Sequence, residues 1–536
     1  MENKTKLNKL ERLKKTLKPT DFNINSCHFD SLSEDDRFYL KNYGIYNIKL
    51  APSKFMLRIR GDNSFTSCKL KELILVVKKY NLELVITARA GLEIHNISKD
   101  LILELYNIVN LIGFKTSGSL TDNVRAIVTD PYDSIAQDSY IDSLEIVKQI
   151  QKQLANNSKY LGLLPRKFNT AIIGKLTPHI NPWGNDLLFA LAKNNDIYGF
   201  NIYLGGKNSE TAKCANIFVE AKDTKRLFFA ILDSFLELGL RGSRSKTRLY
   251  YLLETIGIRK FREQVELNFG KKLQTSQKLL MQSSKFRAFT KLKSGKYGKV
   301  YECNYGKINL DRALDILSKE SNIRIDADQN LHILNVEKES TKPSSSIVAC
   351  VGAKYCPLSL WNIKDDIAKL NLAQFKELGV NVGFSGCLKG CGRHQHSHIG
   401  LVGLRSNMFG KTQRALRVFI GSCEVPKPTP ARLLYYAVPE SKVDGLFKAI
   451  INDYKFGNYS SFNQYNSYLN SYDIEVLQLW FILKQLVNID SKINTLFHTP
   501  NRQQELLSAL QALKIYPQKA NLYENINTLS HLLWDS

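Results

Sequence analysis

The chain has 536 residues, 43% of them apolar, 10% aromatic and 23% charged, a composition that supports several ordinary globular cores. Its 75 Lys and Arg against 50 Asp and Glu leave a formal charge of +25, which points to an anionic partner: nucleic acid, an acidic protein, anionic lipid or a polyanionic cofactor. No run approaches the ~18 apolar residues of a membrane span, and the polar start MENKTKLNKLERLKK lacks the apolar centre of a signal peptide. A cytoplasmic location is therefore expected, where clustered cysteines mean metal binding or catalysis rather than disulfides.

Taken in order, a polar extension (1–46) leads into a strand over Phe55–Arg60. Next come a helix with Leu70, Leu73, Ile74 and Val77 on one face and strands at Leu84–Ile86 and Leu92–Ile94. The same order returns at Lys299–Asn304, in a helix carrying Leu310, Ala313, Leu314 and Leu317, and in strands at Ile323–Ile325 and Leu331–Ile333; residues 70–97 can be laid over 310–336 with one gap. Such strand–helix–strand–strand units suit a two-layer α/β sandwich, and the pair predicts an internal duplication at 47–117 and 286–342. A longer α/β region follows each copy, at 118–285 and 343–465, with joints at Ser117–Ser119 and in the KPSSS run at 342–346. The last stretch, 466–536, is rich in Leu, Gln and Asn. Its periodicity predicts helices at Ile474–Leu486 and Glu505–Leu513, an appended extension with no recognisable chemistry.

Five of the nine cysteines are scattered. The other four, Cys350, Cys356, Cys387 and Cys391, form C-x5-C and C-x3-C pairs separated by 30 residues. Four thiolates hold either a tetrahedral zinc or an iron–sulfur cube. Structural zinc favours tighter pairs, whereas Gly352, Gly386, Gly390 and Gly392 let the backbone approach a large inorganic group, and the ligand set is that of a [4Fe–4S] cluster. Spacing alone leaves both open. His394, His396 and His398 alternate just beyond, which predicts a strand with three imidazoles on one face rather than a further metal site.

The cysteine pairs, with Pro357 after the first and Ser385-Gly386-Cys387 to Cys391-Gly392-Arg393 leading into Ile399-Gly400-Leu401-Val402-Gly403, resemble the sirohaem-dependent nitrite and sulfite reductase family. The resemblance extends over about 45–465, through Met56-Leu57-Arg58-Ile59-Arg60, Asn123-Val124-Arg125, Leu164-Pro165-Arg166-Lys167-Phe168, Asn185-Asp186 and Gly199-Phe200-Asn201 to Gly205-Gly206. It implies an α+β fold with two ferredoxin-like half-domains and two larger α/β cofactor domains about a pseudo-twofold axis. It also implies two cofactors, sirohaem and a [4Fe–4S] cluster. All four cysteines would bind the cluster, and Cys391 would also ligate the sirohaem iron.

The basic run Arg241, Arg244, Lys246 and Arg248, just before an apolar helical segment at Tyr250–Ile256, reads by itself as a solvated helix start or a nucleic-acid patch. The resemblance makes it a binding site for the sirohaem carboxylates, with Arg89, Asn123, Arg166, Asn185, Asn201, Gly205 and Gly206 as further cofactor contacts. Tyr250 stands where the family often has Lys. Arg60, Arg125, Lys167 and Asn169 would meet the substrate, a small anion whose oxygens must be polarised and protonated. Sulfite reductases resemble P-R-K-x-K at this motif; Asn169 removes one cation and favours singly charged nitrite. Gly61-Asp62-Asn63 replaces the usual P-G-G, and Arg89-Ala90 lacks the usual Gln. The implied activity is six-electron reduction of nitrite to ammonia or sulfite to sulfide. No G-x-G-x-x-G or flavin motif is present, so electrons are expected from an acidic ferredoxin or a separate flavoprotein, with no nucleic acid or membrane as partner. The alternatives are a sulfite reductase haemoprotein proper, a corrin-pathway oxygenase of the precorrin-3B synthase kind and, remotely, a basic zinc protein that binds nucleic acid.

Overall fold

A computed structural model describes residues 7–61, 64–319, 322–337 and 345–535; Asp62, Asn63 and the expected joint at 342/343 lie outside the described residues. The chain divides into two compact units, 1–342 and 343–536.

The predicted repeat is visible in the first unit as topology. Strand Lys54–Ile59, helix Ser67–Lys79 and strands Glu83–Ile86 and Leu92–Ser98 form one copy; Tyr297–Tyr301, Leu310–Lys319, Asn322–Ile325 and Leu331–Val336 form the other. In each the last strand lies between the other two, antiparallel to both. Helix Ser67–Lys79 starts where the Thr66 hydroxyl accepts the Lys69 N–H at 3.3 Å, and Lys78 and Lys79 occupy its last turn, where cations suit the helix dipole. Its apolar face, Leu70, Leu73, Ile74 and Val77, is fully buried. The copies share one core: Leu73, Ile74 and Ile86 from the first pack with Ala313, Ile323 and Ile325 from the second. Strand Ser64–Thr66 joins the second copy's sheet beside Asn322–Ile325, and Ile86 N–H donates to the Gly306 carbonyl at 2.7 Å. Between the copies, strands Leu187–Asn194, Ile197–Leu204 and Lys213–Glu220 run antiparallel, and Thr170–Ile173 lies parallel to the first of them.

In the second unit five strands, Ile347–Ala349, Val382–Ser385, Ile399–Ser406, Gln413–Ile420 and Arg432–Pro439, lie side by side in chain order. The first three are parallel and the last two antiparallel. The C-terminal stretch is helical as its periodicity predicts, with helices at Ile474–Leu486, Ser491–Phe497, Gln503–Gln511 and Leu522–Trp534. It is tied down by one buried carboxylate. Asp453 accepts hydrogen bonds from Tyr465 Oη at 2.8 Å, Trp480 Nε1 at 2.9 Å and Lys484 Nζ at 2.8 Å. No helix among the described residues is long and apolar enough to cross a membrane.

Burial opposes ionisation of Asp453, but His498 and Lys484 outweigh it and hold its pKa below the ordinary value. A depressed carboxylate contributes stability that is present above the unfolded-state pKa and lost as pH falls through the folded one. Asp453→Ala leaves Lys484, whose side chain is only 12% exposed, without its counter-charge. It should therefore cost about 3–5 kcal/mol at neutral pH. The gap between variant and wild type should narrow in acid, as read by thermal unfolding at a series of pH values.

Candidate active site

In the first unit, tertiary contacts collect cations from distant parts of the chain. Arg60, just past the end of strand Lys54–Ile59, donates through Nη2 to the Arg125 carbonyl at 3.3 Å. Arg125 donates to the carbonyls of Ser119 at 2.5 Å and Thr121 at 3.3 Å. Arg89 reaches Asn185 Oδ1 at 2.9 Å and the Ala126 carbonyl at 3.5 Å. The Arg125 pKa is driven well below its ordinary value by burial, then by Arg58 and Arg89, with Arg166 adding to the effect and Asp122 opposing it. Such a group of guanidiniums, partly removed from water, is favourable ground for an anion. Half-buried Lys167 follows Arg166 on the same loop. Asn169 is 7% exposed; its backbone N–H donates to Asp186 Oδ2 at 2.9 Å, and its side-chain Oδ1 is buried with no hydrogen-bond partner.

Two buried carboxylates organise the basic run: Asp186, read in the sequence only as part of the Asn185-Asp186 motif, and Asp122, which the sequence did not single out. Asp122 takes both guanidinium arms of Arg244, at 2.6 and 2.8 Å, together with Lys14 Nζ at 2.8 Å. Burial opposes its ionisation, but Lys14 and Arg244 prevail and hold it low. Asp186 is gripped by Arg248 through two contacts of 2.8 Å. Arg241 pairs with Glu11 and reaches the Leu163 and Leu236 carbonyls, while Lys246 is exposed. Another missed group is Glu93, fully buried between Arg58 and His95. Lys207 Nζ lies 4.2 Å from the centre of the Tyr250 ring, so an ammonium stands beside the position where the resemblance leads one to expect lysine.

The amides of Asn123 and Asn201 are engaged by the protein itself. Asn123 donates to Asn42 Oδ1 and the Leu120 carbonyl and accepts the Gly162 N–H; Asn201 is doubly bonded to the Gln277 backbone. Gly206 has no room for a side chain, since a Cβ there would sit 2.2 Å from the Asn185 carbonyl oxygen. Gly205 precedes it at φ +82°. This tight turn holds Asn185, and through it Arg89, in place.

In the second unit, Ile347–Ala349 and Val382–Ser385 are neighbouring parallel strands, so the loops that leave their C-terminal ends emerge on the same side. Those loops carry the two cysteine pairs. Cys350 N–H donates to the Phe384 carbonyl at 3.0 Å, and Gly386 N–H donates to Cys350 Sγ at 3.1 Å. A Cβ on Gly386 would lie 2.1 Å from Ser359 Oγ, so only glycine brings that amide so close. Cys350 is buried, Cys356 and Cys387 are half-buried and Cys391 is exposed. Burial, and then the neighbouring Cys391, push the Cys350 thiol up to about 12, which suits a sulfur whose charged form is stabilised by a bound metal rather than a free nucleophile. Four thiols with one amide aimed at sulfur match the donor chemistry of an iron–sulfur cluster. Among the described residues no group of three or more His, Cys, Asp or Glu forms a single-ion site.

The three histidines do not form the expected strand. Gly390 and Arg393 adopt positive φ, +70° and +56°, and successive turns are closed by Arg393 N–H to Gly390 O at 3.0 Å and His396 N–H to Arg393 O at 2.9 Å. The strand begins only at Ile399. The imidazoles therefore diverge: His394 Nδ1 meets Ser385 Oγ at 3.0 Å, and His398 Nδ1 accepts the Asn381 N–H at 3.1 Å.

Residues 120–273, the segment that carries most of the cation cluster, match the model of the Nitrite and sulphite reductase 4Fe-4S domain. This match, the duplicated α+β fold and the cysteine pairs agree with the resemblance to the nitrite and sulfite reductase family. The cysteines lie outside the matched segment, so their assignment stands on spacing and placement. Among its relatives is the ferredoxin–nitrite reductase of Leptolyngbya laminosa, 28% identical over 78% of this chain and 91% of that protein. The chloroplastic ferredoxin–nitrite reductase of Spinacia oleracea is 26% identical over 69% of this chain and 70% of its own length. The fold is that of the Mycobacterium tuberculosis NirA protein, with a TM-score of 0.77 at 20% identity over 88% of this chain and 97% of that one.

Proposed function

We propose that this protein is a ferredoxin-dependent nitrite reductase that converts nitrite to ammonia by six-electron reduction. The observation that best supports this reading is the gathering of Arg60, which donates to the Arg125 carbonyl at 3.3 Å, and of Arg125, whose N–H donates at 2.9 Å to the carbonyl of Phe168 between Lys167 and Asn169, whose side-chain oxygen is buried without a partner. Arg60, Arg125 and Lys167 bind and orient the anion; Lys167 also donates a proton, which arginine cannot do at working pH. Asn169 supplies an amide where a second ammonium would favour a dianion.

Arg89, Arg166, Arg241, Arg244, Lys246 and Arg248, with Lys207 beside Tyr250, hold the sirohaem carboxylates, and Asn123, Asn185, Asn201, Gly205 and Gly206 shape the surrounding backbone. Cys350, Cys356, Cys387 and Cys391 would hold the [4Fe–4S] cluster, and Cys391, the exposed thiol, would also serve the sirohaem iron. When bound, these two groups supply multi-electron redox chemistry that no side chain provides. The cofactor domains are 118–285 and 343–465, flanked by half-domains at 47–117 and 286–342 and by extensions at 1–46 and 466–536.

Electron entry is assigned to the cysteine loops. Leu358, Leu360 and Leu388 are about half exposed there, at 49%, 59% and 56%, and exposed Lys354 and Lys389 flank them. An apolar centre rimmed by cations complements an acidic ferredoxin.

The purified protein should show haem-like visible bands and reduce nitrite with a chemical donor, and Cys350→Ser should lose cluster iron because one of four thiolates is gone. A colourless, iron-free protein overturns the reading. Turnover with an acidic ferredoxin should fall steeply between low and physiological ionic strength, and Lys389→Glu should lower it at low ionic strength and flatten that salt dependence, while turnover with a small neutral dye stays nearly constant. Restoring the second ammonium with Asn169→Lys should raise the sulfite-to-nitrite ratio of kcat/KM about tenfold, equivalent to roughly 1–2 kcal/mol for the more highly charged sulfite. An unchanged ratio in a fully loaded variant removes the basis for preferring nitrite.

A further inference from the structure

The N-terminal helix Lys9–Thr16 is strongly polar, and Asn8 caps it by accepting the Leu10 and Glu11 amides at 3.0 and 3.2 Å. Two of its charged residues, Glu11 and Lys14, are nonetheless only 4% and 5% exposed. Buried charges require partners, and theirs are specific. Lys14 Nζ contacts Glu11 Oε1 at 2.6 Å, Asp122 Oδ2 at 2.8 Å and the Leu164 carbonyl at 2.8 Å, which uses all three ammonium protons. Glu11 holds Arg241 through its other oxygen. Asn8 fastens the Arg241 carbonyl twice, through its side chain at 2.8 Å and its backbone N–H at 3.1 Å.

We infer that Glu11 and Lys14 are positioning residues for the anion-binding machinery, locking the Arg241–Arg248 run and the Pro165–Lys167 loop into one charge-balanced unit. The contacts form a continuous series: Arg241, Glu11, Lys14, Asp122, Arg244. Leu164, whose carbonyl Lys14 holds, directly precedes Pro165, Arg166 and Lys167. Charge accounting explains why a lysine is needed. Asp122 is fully buried and faces Arg244 and, at 3.9 Å, Arg166. With Lys14 present, part of its negative charge is already met, so the two arginines keep net positive charge for an external carboxylate. Without Lys14, Asp122 would draw on both arginines alone and would repel an incoming anion. A helix needed only as a strap would dock more cheaply through apolar side chains, because two buried charges bring a desolvation cost and little net stability.

This inference rests on the reading that the basic run binds the sirohaem carboxylates, and the test separates the two. Full-length wild type, Lys14→Met, Lys14→Gln and Lys14→Arg would be purified as holoproteins, and sirohaem release on dilution followed by the loss of its visible band, with thermal unfolding measured in parallel. Lys14→Met and Lys14→Gln should release sirohaem about tenfold faster than wild type, and Lys14→Arg, which keeps the charge, should restore most of the retention. Lowered thermal stability with wild-type release rates in Met and Gln variants would overturn the positioning role and leave a plain strap. Faster release that Lys14→Arg fails to restore would overturn the charge argument. If Lys14→Met does not fold, Lys14→Gln, which is slightly shorter but keeps hydrogen-bond donors, decides the matter. A wild type that carries no sirohaem would overturn the reading of the basic run itself.

Discussion

The electrostatic cost of gathering arginines out of water governs the first unit. Burial, then Arg58 and Arg89, with Arg166 adding to them, lower the pKa of the Arg125 guanidinium. Such a group persists only if part of its charge is fixed by built-in acids while the rest is left for a ligand. Asp122, Asp186 and Glu93 are those acids, all essentially inaccessible to solvent, and each is paired with an arginine. The cluster therefore behaves as a set of preorganised ion pairs with surplus positive charge, which is how an anion site gains affinity without reorganising.

The duplicated frame is used asymmetrically. Five residues separate Ile86 from Leu92 in the first copy and Ile325 from Leu331 in the second, so Arg89 corresponds to Asp328 and Glu93 to His332. In the first copy this corner reaches into the cation cluster through Arg89 and Asn185. In the second it closes on itself: His332 bridges Tyr132 Oη and Asp326 Oδ2, both at 2.8 Å, and Arg324 binds the Pro131 and Asp133 carbonyls at 2.8 Å. One backbone plan thus serves the cation cluster in one copy and buried polar glue in the other. Which role it takes depends on a few side chains at the strand ends.

The second unit obtains its cysteine cradle from strand direction. Two parallel neighbours must send their following loops out at the same end, so the loop of Cys387 reaches Cys350 through the Gly386 N–H. The helical extension is fixed to the same unit through Asp453, and Asn466 reaches the carbonyls of His398 and Ser422, just beyond the second cysteine pair. The extension thereby buttresses the chain that follows the cysteine loop.

Local periodicity and spacing are properties of the chain alone. For that reason the two β-α-β-β copies, the helix Ile474–Leu486 and the cysteine pairs were legible before any coordinates. The family resemblance likewise lay in short contiguous motifs. What required the tertiary structure was every interaction whose partners are distant in sequence: Lys14 with Asp122, Arg244 with Asp122, Arg248 with Asp186, and Lys207 stacked on Tyr250. No periodicity marks a buried carboxylate that serves a distant arginine, because an acid on the surface and an acid in an ion pair look alike in a sequence. The alternating histidines show the converse failure. Their spacing has the period of a strand, but Gly390 and Arg393 turn the chain into the left-handed region first, and backbone geometry outweighs a three-residue pattern.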